Sequence, residues 1–233
     1  MNICLLMMAG IGLRFGAERP KQFFEVEGEP VFGQILKGLN RSECVDKIVI
    51  VTHVNWIDHV NDWVGAHDIE KFFATIPGGS TRSESVKKGL IKAFEIAKDD
   101  DVILIHDAAH PYVDQNGMKQ LVEAVHKFGA ATMAQRQYDT CYGIDENDMV
   151  TKVIPRQFVV SGASPEAFKF KDVYDIYMQA SEEELNVMTS TGAIAMAHGI
   201  QMKVIILNTI NLKITYQSDM KFLASASRLF FGE

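Results

Sequence analysis

Short runs of apolar residues alternate along the chain with segments in which apolar residues recur at helical spacing. The clearest runs lie at residues 3–8, 47–52 and 102–105. Continuous apolar runs of this length are typical of parallel strands that are buried on both faces. The segments of helical spacing are 31–39, 56–64, 83–97 and 116–128, and shorter strand-like segments lie at 73–76 and 130–135. This β-α-β-α order predicts an α/β fold of three layers with a mostly parallel sheet, and ligands beyond the carboxyl ends of the strands.

The pattern changes in the second half of the chain. Residues 139–160 carry Gly143, Asp145 and Asn147 between two alternating segments, which predicts a protruding β-ribbon. Further on, Lys213 stands between two apolar residues in a segment that we interpret as a strand. A terminal helix is expected to begin near residue 218.

Composition limits the class of protein. With 233 residues and 47% hydrophobic content, residues 1–233 are expected to form one domain with a sizeable core. The net charge of −7 argues against a nucleic-acid partner. No apolar stretch is long enough to span a bilayer, so we expect no membrane partner. The three scattered cysteines lack metal-ligand spacing and suggest reduced thiols, so a cytoplasmic location is expected.

A glycine-rich loop follows the first apolar run. Residues 8–16 read MAGIGLRFG, and PKQF follows at residues 20–23. Glycines allow the backbone to approach a ligand closely, and Arg14 and Lys21 bring two cations to the same loop. These features predict a polyphosphate site, although the loop matches neither the P-loop pattern nor the dinucleotide fingerprint. A plain loop after an edge strand is the alternative interpretation.

Two further segments combine small, hydroxyl and charged residues. Residues 78–86 read GGSTRSESV and precede a predicted helix, so a turn with a helix cap at Ser83 or Ser85 is the simplest alternative to a binding loop. Residues 106–111 read HDAAHP after a buried strand. A carboxylate there is costly unless it is paired or binds a metal, whereas capping the next helix would be its ordinary role. The two histidines could also indicate a hydrolase, but the chain has no nucleophile-elbow serine motif.

Taken together, these segments resemble the sugar-alcohol-phosphate cytidylyltransferases, whose branches act on ribitol 5-phosphate or 2-C-methyl-D-erythritol 4-phosphate. The resemblance covers nearly the whole chain. It implies a Rossmann-like nucleotidyltransferase fold, a homodimer formed by the ribbon, and transfer of CMP from CTP to a phosphorylated sugar alcohol with Mg²⁺. Leu212 and residues 53–56 (HVNW) favour the ribitol 5-phosphate branch over the methylerythritol branch.

The resemblance also implies residue roles. It assigns the catalytic cations to Arg14, Lys21 and Lys213, and Mg²⁺ to Asp107. Nucleotide contacts are assigned to Met8, Ala9, Gly10, Gly12, Gly79, Ser80, Arg82, Ser85, Asp107 and Ala108. Acceptor contacts are assigned to Asp107, His110, Thr140, Arg156, Ser164 and Thr189, with Thr140 and Arg156 crossing to a second subunit. Exposed, purely solvent-facing positions are the alternative for Arg156 and Lys213.

Three positions depart from the family pattern. His110 stands where the family usually has arginine, Ala163-Ser164-Pro165 replaces Gln-Thr-Pro, and Ser190 replaces an aspartate. A histidine ring titrates near neutral pH, whereas arginine presents a permanent fork of donors. These changes leave open a second class of function, a catalytically weakened relative that binds nucleotide. The three cations favour the enzyme.

Overall fold

The computed structural model describes residues 1–10, 12, 15–16 and 19–228. Its strands are β1 (Asn2–Met8), β2 (Glu25–Val26), β3 (Glu29–Pro30), β4 (Lys47–Thr52), β5 (Phe72–Pro77), β6 (Val102–Asp107), β7 (Ala130–Arg136), β8 (Cys141–Ile144), β9 (Val150–Ile154), β10 (Val160–Lys169) and β11 (Lys203–Ile206). Its α-helices are α1 (Val31–Arg41), α2 (Ile57–Gly65), α3 (Arg82–Ala93), α4 (Gln115–Phe128), α5 (Phe170–Gln179), α6 (Glu182–Val187), α7 (Thr191–Ala197) and α8 (Gln217–Ser225).

A central sheet carries the strand order β11-β7-β10-β6-β1-β4-β5. Strand β1 pairs in parallel with β4 and β6, and β4 pairs in parallel with β5. Strand β10 runs antiparallel to both β6 and β7, while β11 is parallel to β7. The prediction of a mostly parallel, mixed sheet is confirmed. Because β6, β1, β4 and β5 share one direction, their carboxyl ends meet at one edge of the sheet.

Both faces of the sheet are covered, which explains the unbroken apolar runs of the sequence. Along β1, Cys4 and Leu6 join one buried cluster with residues of α1 and α4, and Ile3 and Leu5 join a second cluster with residues of α3 and α5. All four side chains are fully buried. Successive side chains of a strand point to opposite faces, so a strand between two layers of helices must be apolar at every position. The predicted three-layer arrangement is therefore confirmed.

One predicted helix end and one predicted strand are wrong. Helix α3 ends at Ala93 rather than Ala97, because the chain turns there and the Ile96 N–H donates to the Ala93 carbonyl at 3.1 Å. Residues 211–215 are not a strand. The backbone of Ile214 donates to the Ala109 carbonyl at 2.8 Å and accepts from the Lys21 ammonium instead of pairing with a neighbouring strand.

The predicted ribbon is present but shorter than residues 139–160. Strands β8 and β9 pair antiparallel, and Asp145 closes the turn between them by accepting from the Asn147 N–H at 2.9 Å and the Met149 N–H at 3.0 Å. Val160 already belongs to β10 of the central sheet. In and beside the ribbon, seven large apolar side chains are exposed: Tyr138, Tyr142, Ile144, Met149, Val150, Val153 and Phe158.

None of the helices in the described part of the chain has both the length and the apolar character that crossing a bilayer requires.

Candidate nucleotide-binding site

A cavity of about 620 Å³ opens where the carboxyl ends of β1, β4, β5 and β6 meet. Its volume lies in the range of small-molecule sites. Ten of the residues assigned from sequence to catalysis or nucleotide binding line it: Met8, Ala9, Gly10, Lys21, Gly79, Ser80, Arg82, Ser85, Asp107 and Ala108. The lining also contains Met7, Gln22, His53, Thr81 and Ala109, which were not assigned. Four segments far apart in the sequence therefore build one site.

Gln22 connects the glycine-rich loop to the PKQF segment at residues 20–23. This buried side chain donates through Nε2 to the Met8 carbonyl at 2.6 Å and to the Gly10 carbonyl at 3.2 Å. Gly12 adopts a φ of 69°, a left-handed conformation that glycine takes without steric cost. The predicted cation Arg14 lies outside the described residues, and Gly12 is outside the lining of the cavity.

The Gly78–Gly79 turn requires its glycines. A Cβ on Gly78 would lie 2.3 Å from the Cβ of Ala9, and a Cβ on Gly79 would lie 2.3 Å from the Glu84 side chain. Ser85 holds the turn because its hydroxyl accepts from the Gly79 N–H at 2.9 Å and donates to the Thr81 carbonyl at 2.9 Å. The alternative of a cap at Ser83 or Ser85 is wrong, since Thr81 caps α3. Ser85 therefore shapes the backbone that faces the cavity.

Glu84 closes the outer side of the same turn. Its carboxylate accepts from the backbone N–H of Ser80 at 2.7 Å and from the Ser80 hydroxyl at 2.8 Å. These hydrogen bonds favour the ionised form and lower the pKa of Glu84 to about 2. The turn is thus held by a permanent negative charge outside the cavity lining.

Arg82 and Asp107 form an ion pair in the cavity wall. Arg82 donates to Oδ1 of Asp107 from Nη2 at 3.0 Å and from Nε at 3.3 Å, and its Nη1 donates to the Thr191 hydroxyl at 3.3 Å. Asp107 does not cap the next helix, because Asp114 caps α4. The backbone N–H of Asp107 donates to the Ser164 hydroxyl at 2.9 Å, so β10 fixes the position of this carboxylate.

His110 lies beside the main cavity rather than in its lining. It is 6% exposed and lines a small pocket of about 10 Å³ together with Ser164 and Asn211. Burial lowers the pKa of His110 to about 4, and the neighbouring His106 and Lys213 act in the same direction. His106 is fully buried, and its Nε2 lies 3.0 Å from the His110 carbonyl oxygen. With this pKa the ring of His110 is neutral near pH 7, whereas an arginine would be charged.

The two described lysines of the predicted catalytic set lie near each other. Lys21 lines the cavity, and its ammonium donates to the carbonyl of Ile214, the residue after Lys213. The side chain of Lys213 is exposed and outside the cavity lining. The Lys21–Ile214 contact therefore holds the segment that carries Lys213 next to the site, without placing its ammonium in the cavity.

Three further predicted acceptor contacts are outside the lining of the cavity: Thr140, Arg156 and Thr189. Thr140 and Arg156 are exposed beside the ribbon, where Arg156 donates to the Tyr138 carbonyl. Thr189 is exposed and precedes Ser190, the residue that caps α7. Their contact with an acceptor stays a prediction.

The residues that sequence reasoning missed carry weak local signals. His53 directly follows β4, as the cavity residue Ala108 follows β6. A polar residue just after a buried parallel strand is the available signal. Gln22 stands within the PKQF segment, but its bonds to Met8 and Gly10 depend on tertiary packing.

The protein has an α/β fold with a cavity at the carboxyl ends of its parallel strands, and comparison with known proteins identifies its family. A family model described as "IspD: 2-C-methyl-D-erythritol 4-phosphate cytidylyltransferase" matches residues 3–227. A 2-C-methyl-D-erythritol 4-phosphate cytidylyltransferase of Thermotoga neapolitana is 34% identical over 95% of this chain and 94% of its own length. A ribitol-5-phosphate cytidylyltransferase of Vibrio parahaemolyticus is 29% identical over 94% and 92%. The crystal structure of 4-diphosphocytidyl-2C-methyl-D-erythritol synthase from Anaerococcus prevotii aligns with a TM-score of 0.81 at 24% identity, over 97% and 96% of the two chains.

The chain belongs to the IspD family of cytidylyltransferases. It is a nucleotidyltransferase, as the resemblance of its motifs implied, and it has the family's fold.

Proposed function

We propose that this protein transfers CMP from CTP to a phosphorylated sugar alcohol, with ribitol 5-phosphate as the acceptor type, and releases pyrophosphate. The observation that carries the proposal is the single cavity that brings together the loop after β1, Lys21, the Gly78–Gly79 turn and Asp107. The turn, shaped by Ser85, provides backbone groups of fixed position that suit a cytosine ring. The N–H groups of Gly79 and Ser80 are paired with Ser85 and Glu84, so the turn keeps a fixed shape, and a base whose edge does not match that shape is bound less well.

In this reaction, an acceptor phosphate oxygen attacks the α-phosphorus of CTP in line and displaces pyrophosphate. No covalent intermediate with the protein is needed, so catalysis depends on positioning and on neutralising the developing charge. Lys21 supplies a cation in the cavity, and we assign Lys213, on the segment held by Lys21, to the transferring phosphate. Arg14 is the third cation of the proposal.

Mg²⁺ fits this site as an ion carried by the nucleotide. Among the described residues, no group of three or more histidine, cysteine, aspartate or glutamate side chains is arranged to hold a metal, and Asp107 is the carboxylate in the cavity lining. Mg²⁺ is commonly bound through one or two carboxylates together with substrate phosphates. We therefore propose that Asp107 and the phosphates of CTP hold it, and that the ion supplies charge neutralisation when bound.

A second acceptor, 2-C-methyl-D-erythritol 4-phosphate, is favoured by the family model and by the 34% identical relative that bears this name. The ribitol assignment depends on Leu212 and on residues 53–56, of which His53 lines the cavity. His110 is neutral near pH 7, whereas the arginine usual in the family at this position would carry a positive charge. Parallel assays with both acceptors decide between the two.

Purified protein with Mg²⁺ is expected to release pyrophosphate from CTP in the presence of a polyol phosphate, and to prefer CTP to UTP, ATP and GTP. The physical reason is the fixed geometry of the Gly78–Gly79 turn, which Ser85 and Glu84 hold through hydrogen bonds to the N–H groups of Gly79 and Ser80. The measurement is kcat/KM for each nucleotide with ribitol 5-phosphate and with 2-C-methyl-D-erythritol 4-phosphate. A higher value for a purine nucleotide would overturn the proposal, and turnover with the methylerythritol acceptor alone would replace the ribitol assignment.

We further propose that the protein is a homodimer joined through the ribbon. The apolar side chains of Tyr142 and Val153 face each other across paired strands and are 55% and 63% exposed in the single chain. A second copy that covers them would remove a large apolar area from water, which favours association. It would also bring Thr140 and Arg156 of one subunit to the cavity of the other, as the resemblance implies.

Light scattering at micromolar concentration is expected to show a dimer for the wild type and a monomer for Val153→Glu, since the substitution would bury an unpaired carboxylate. Val187→Glu is the matched control, because Val187 is 68% exposed and lies on α6, away from the ribbon. A monomeric wild type, or dissociation of both variants alike, would contradict the proposed interface.

A further inference from the structure

Glu166 is a partly buried carboxylate behind the cavity wall. It lies on β10, its side chain is 15% exposed, and its Oε2 approaches Nη2 of Arg82 at 3.9 Å. Its other oxygen, Oε1, accepts from the backbone N–H of Gly192 at 3.1 Å. Gly192 permits this approach, because a Cβ at that position would lie 2.7 Å from Oε1. Oε1 is therefore hydrogen-bonded, whereas Arg82 approaches Oε2 without reaching hydrogen-bond distance.

Oε2 of Glu166 is buried but has no hydrogen-bond donor among the described residues. A buried acceptor without a donor costs free energy, so such an atom calls for an explanation. Burial raises the pKa of Glu166, whereas the charge of Arg82 acts in the opposite direction. The nearby guanidinium of Arg82 is the group that could occupy Oε2 after a movement of about 1 Å, since a charge-assisted hydrogen bond is about 2.7–2.9 Å long.

Arg82 lies between the carboxylates of Asp107 and Glu166 and forms hydrogen bonds with Asp107. Its Nη2 and Nε both donate to Oδ1 of Asp107, at 3.0 and 3.3 Å. Asp107 lines the cavity, whereas Glu166 is outside its lining. Asp107 has two carboxylate oxygens, so one ligand hydroxyl could donate to Oδ2 alone, whereas two adjacent hydroxyls that donate to both oxygens would compete with Arg82 for Oδ1. Arg82 would then need a second acceptor close by, because an unpaired guanidinium in a partly buried position is costly.

We propose that Glu166 is a positioning residue that takes up Arg82 when the ribose hydroxyls of the nucleotide engage Asp107. This inference depends on the proposed function, since it takes the ligand to be a ribonucleotide whose ribose lies beside Asp107. The exchange keeps Arg82 paired in both the free and the bound protein. Glu166 thereby lowers the free-energy cost of breaking the Arg82–Asp107 hydrogen bonds when the nucleotide binds, and it does not contact the nucleotide.

Glu166→Gln removes this function while nearly preserving shape. Glutamine offers one oxygen and one NH₂ group, and the groups that face it, the backbone N–H groups of Gly192 and Thr191 and Nη2 of Arg82, are all donors. Either orientation of the amide therefore places a donor against a donor. A merely structural role for Glu166 would affect every nucleotide equally, whereas the proposed exchange affects only nucleotides with ribose hydroxyls.

The test is the dissociation constant of CTP and of 2′,3′-dideoxy-CTP, measured by calorimetry in EDTA for the wild type and for Glu166→Gln. Mg²⁺ is left out of this comparison because an ion held by Asp107 would itself draw this carboxylate from Arg82 with either nucleotide. Binding of both nucleotides with Mg²⁺ is measured beside it. We expect CTP to bind about tenfold more weakly to the variant, and dideoxy-CTP to bind both proteins within about twofold. Tenfold corresponds to about 1.4 kcal/mol. Asp175→Asn is the control for loss of a negative charge, because Asp175 pairs with Lys171 on the outer surface of α5.

The outcomes separate the two proposals. An equal loss for both nucleotides, or no loss for either, would overturn the exchange at Arg82 while leaving CTP as the ligand. A wild type that binds neither nucleotide would overturn the proposed function and this inference with it. Thermal melting of Glu166→Gln near the wild-type temperature shows that the fold is retained, so that any change in affinity belongs to the site.

Discussion

Replacing Lys21 or Lys213 with methionine is expected to reduce the turnover of CTP by about a hundredfold to a thousandfold. The loss of one donor to charge that develops in the transition state typically costs about 3–4 kcal/mol. Lys21 lines the cavity, and its contact with Ile214 holds the segment that carries Lys213. Methionine keeps much of the lysine stem but removes the charge, so the protein should still fold.

Turnover, CTP affinity and thermal melting are measured together for Lys21→Met and Lys213→Met. Lys127→Met is the control, because Lys127 is exposed at the end of α4, where its ammonium lies 5.1 Å from the ring centre of Phe128. An exposed surface position of this kind is expected to change stability by no more than about 0.5 kcal/mol. Near-normal turnover in both Lys21→Met and Lys213→Met would refute the proposed mechanism. Normal turnover in Lys213→Met alone would make Lys213 an ordinary solvent-facing residue, as its exposure permits.

The free energy of unfolding is expected to fall by about 3 kcal/mol between pH 7 and pH 4 because of His110 alone. The pKa of this buried ring is lowered to about 4 by burial and by nearby His106 and Lys213, whereas an unfolded histidine titrates near 6.5. Below pH 6.5 the unfolded chain therefore binds a proton that the folded protein excludes. Stability from this group is fully present above pH 6.5 and is lost as the pH falls toward 4.

The measurement is urea unfolding of the wild type and of His110→Gln at pH 7, 5.5 and 4. The variant is expected to lose less stability on acidification, and the difference between the two proteins isolates His110 from carboxylates and from His106, whose pKa is also lowered by burial. His126→Gln, at an exposed position on α4, should follow the wild type. Parallel stability curves for the wild type and His110→Gln would show that His110 is not held neutral by the fold.

A neutral His110 also bears on the acceptor. The cytidylyltransferases that this chain resembles usually have an arginine at this position. Its guanidinium is always charged and can donate two hydrogen bonds to one phosphate. In this protein the ring lies in a small pocket with Ser164 and Asn211 and carries no charge near neutral pH. The proposal therefore assigns the acceptor phosphate to Arg156 of a second subunit, which makes the ribbon interface part of the chemistry.

Local pattern was sufficient to predict the strands that build the site. The runs in β1, β4 and β6 are apolar at nearly every position, because helices cover both faces of the sheet. The Gly78–Gly79 turn was recognisable because the close approach of Ala9 and Glu84 requires glycine, and the loop after β1 because Gly12 and Gly16 adopt a left-handed backbone conformation that glycine takes without steric cost. The segment around Lys213 was predicted wrongly, because its backbone bonds to Ala109 and Lys21, which no local pattern reveals.

The sequence by itself determined the class of fold, the family and most of the cavity lining, because strand burial and glycine-dependent turns are encoded within short segments. Tertiary structure alone decided how charges are shared. Arg82 meets Asp107 and Glu166 only after α3, β6 and β10 come together, and His110 loses its charge only when packing removes water from its ring. Hydrogen bonding and solvation depend on distances between segments that are remote along the chain, so these properties follow from the folded arrangement.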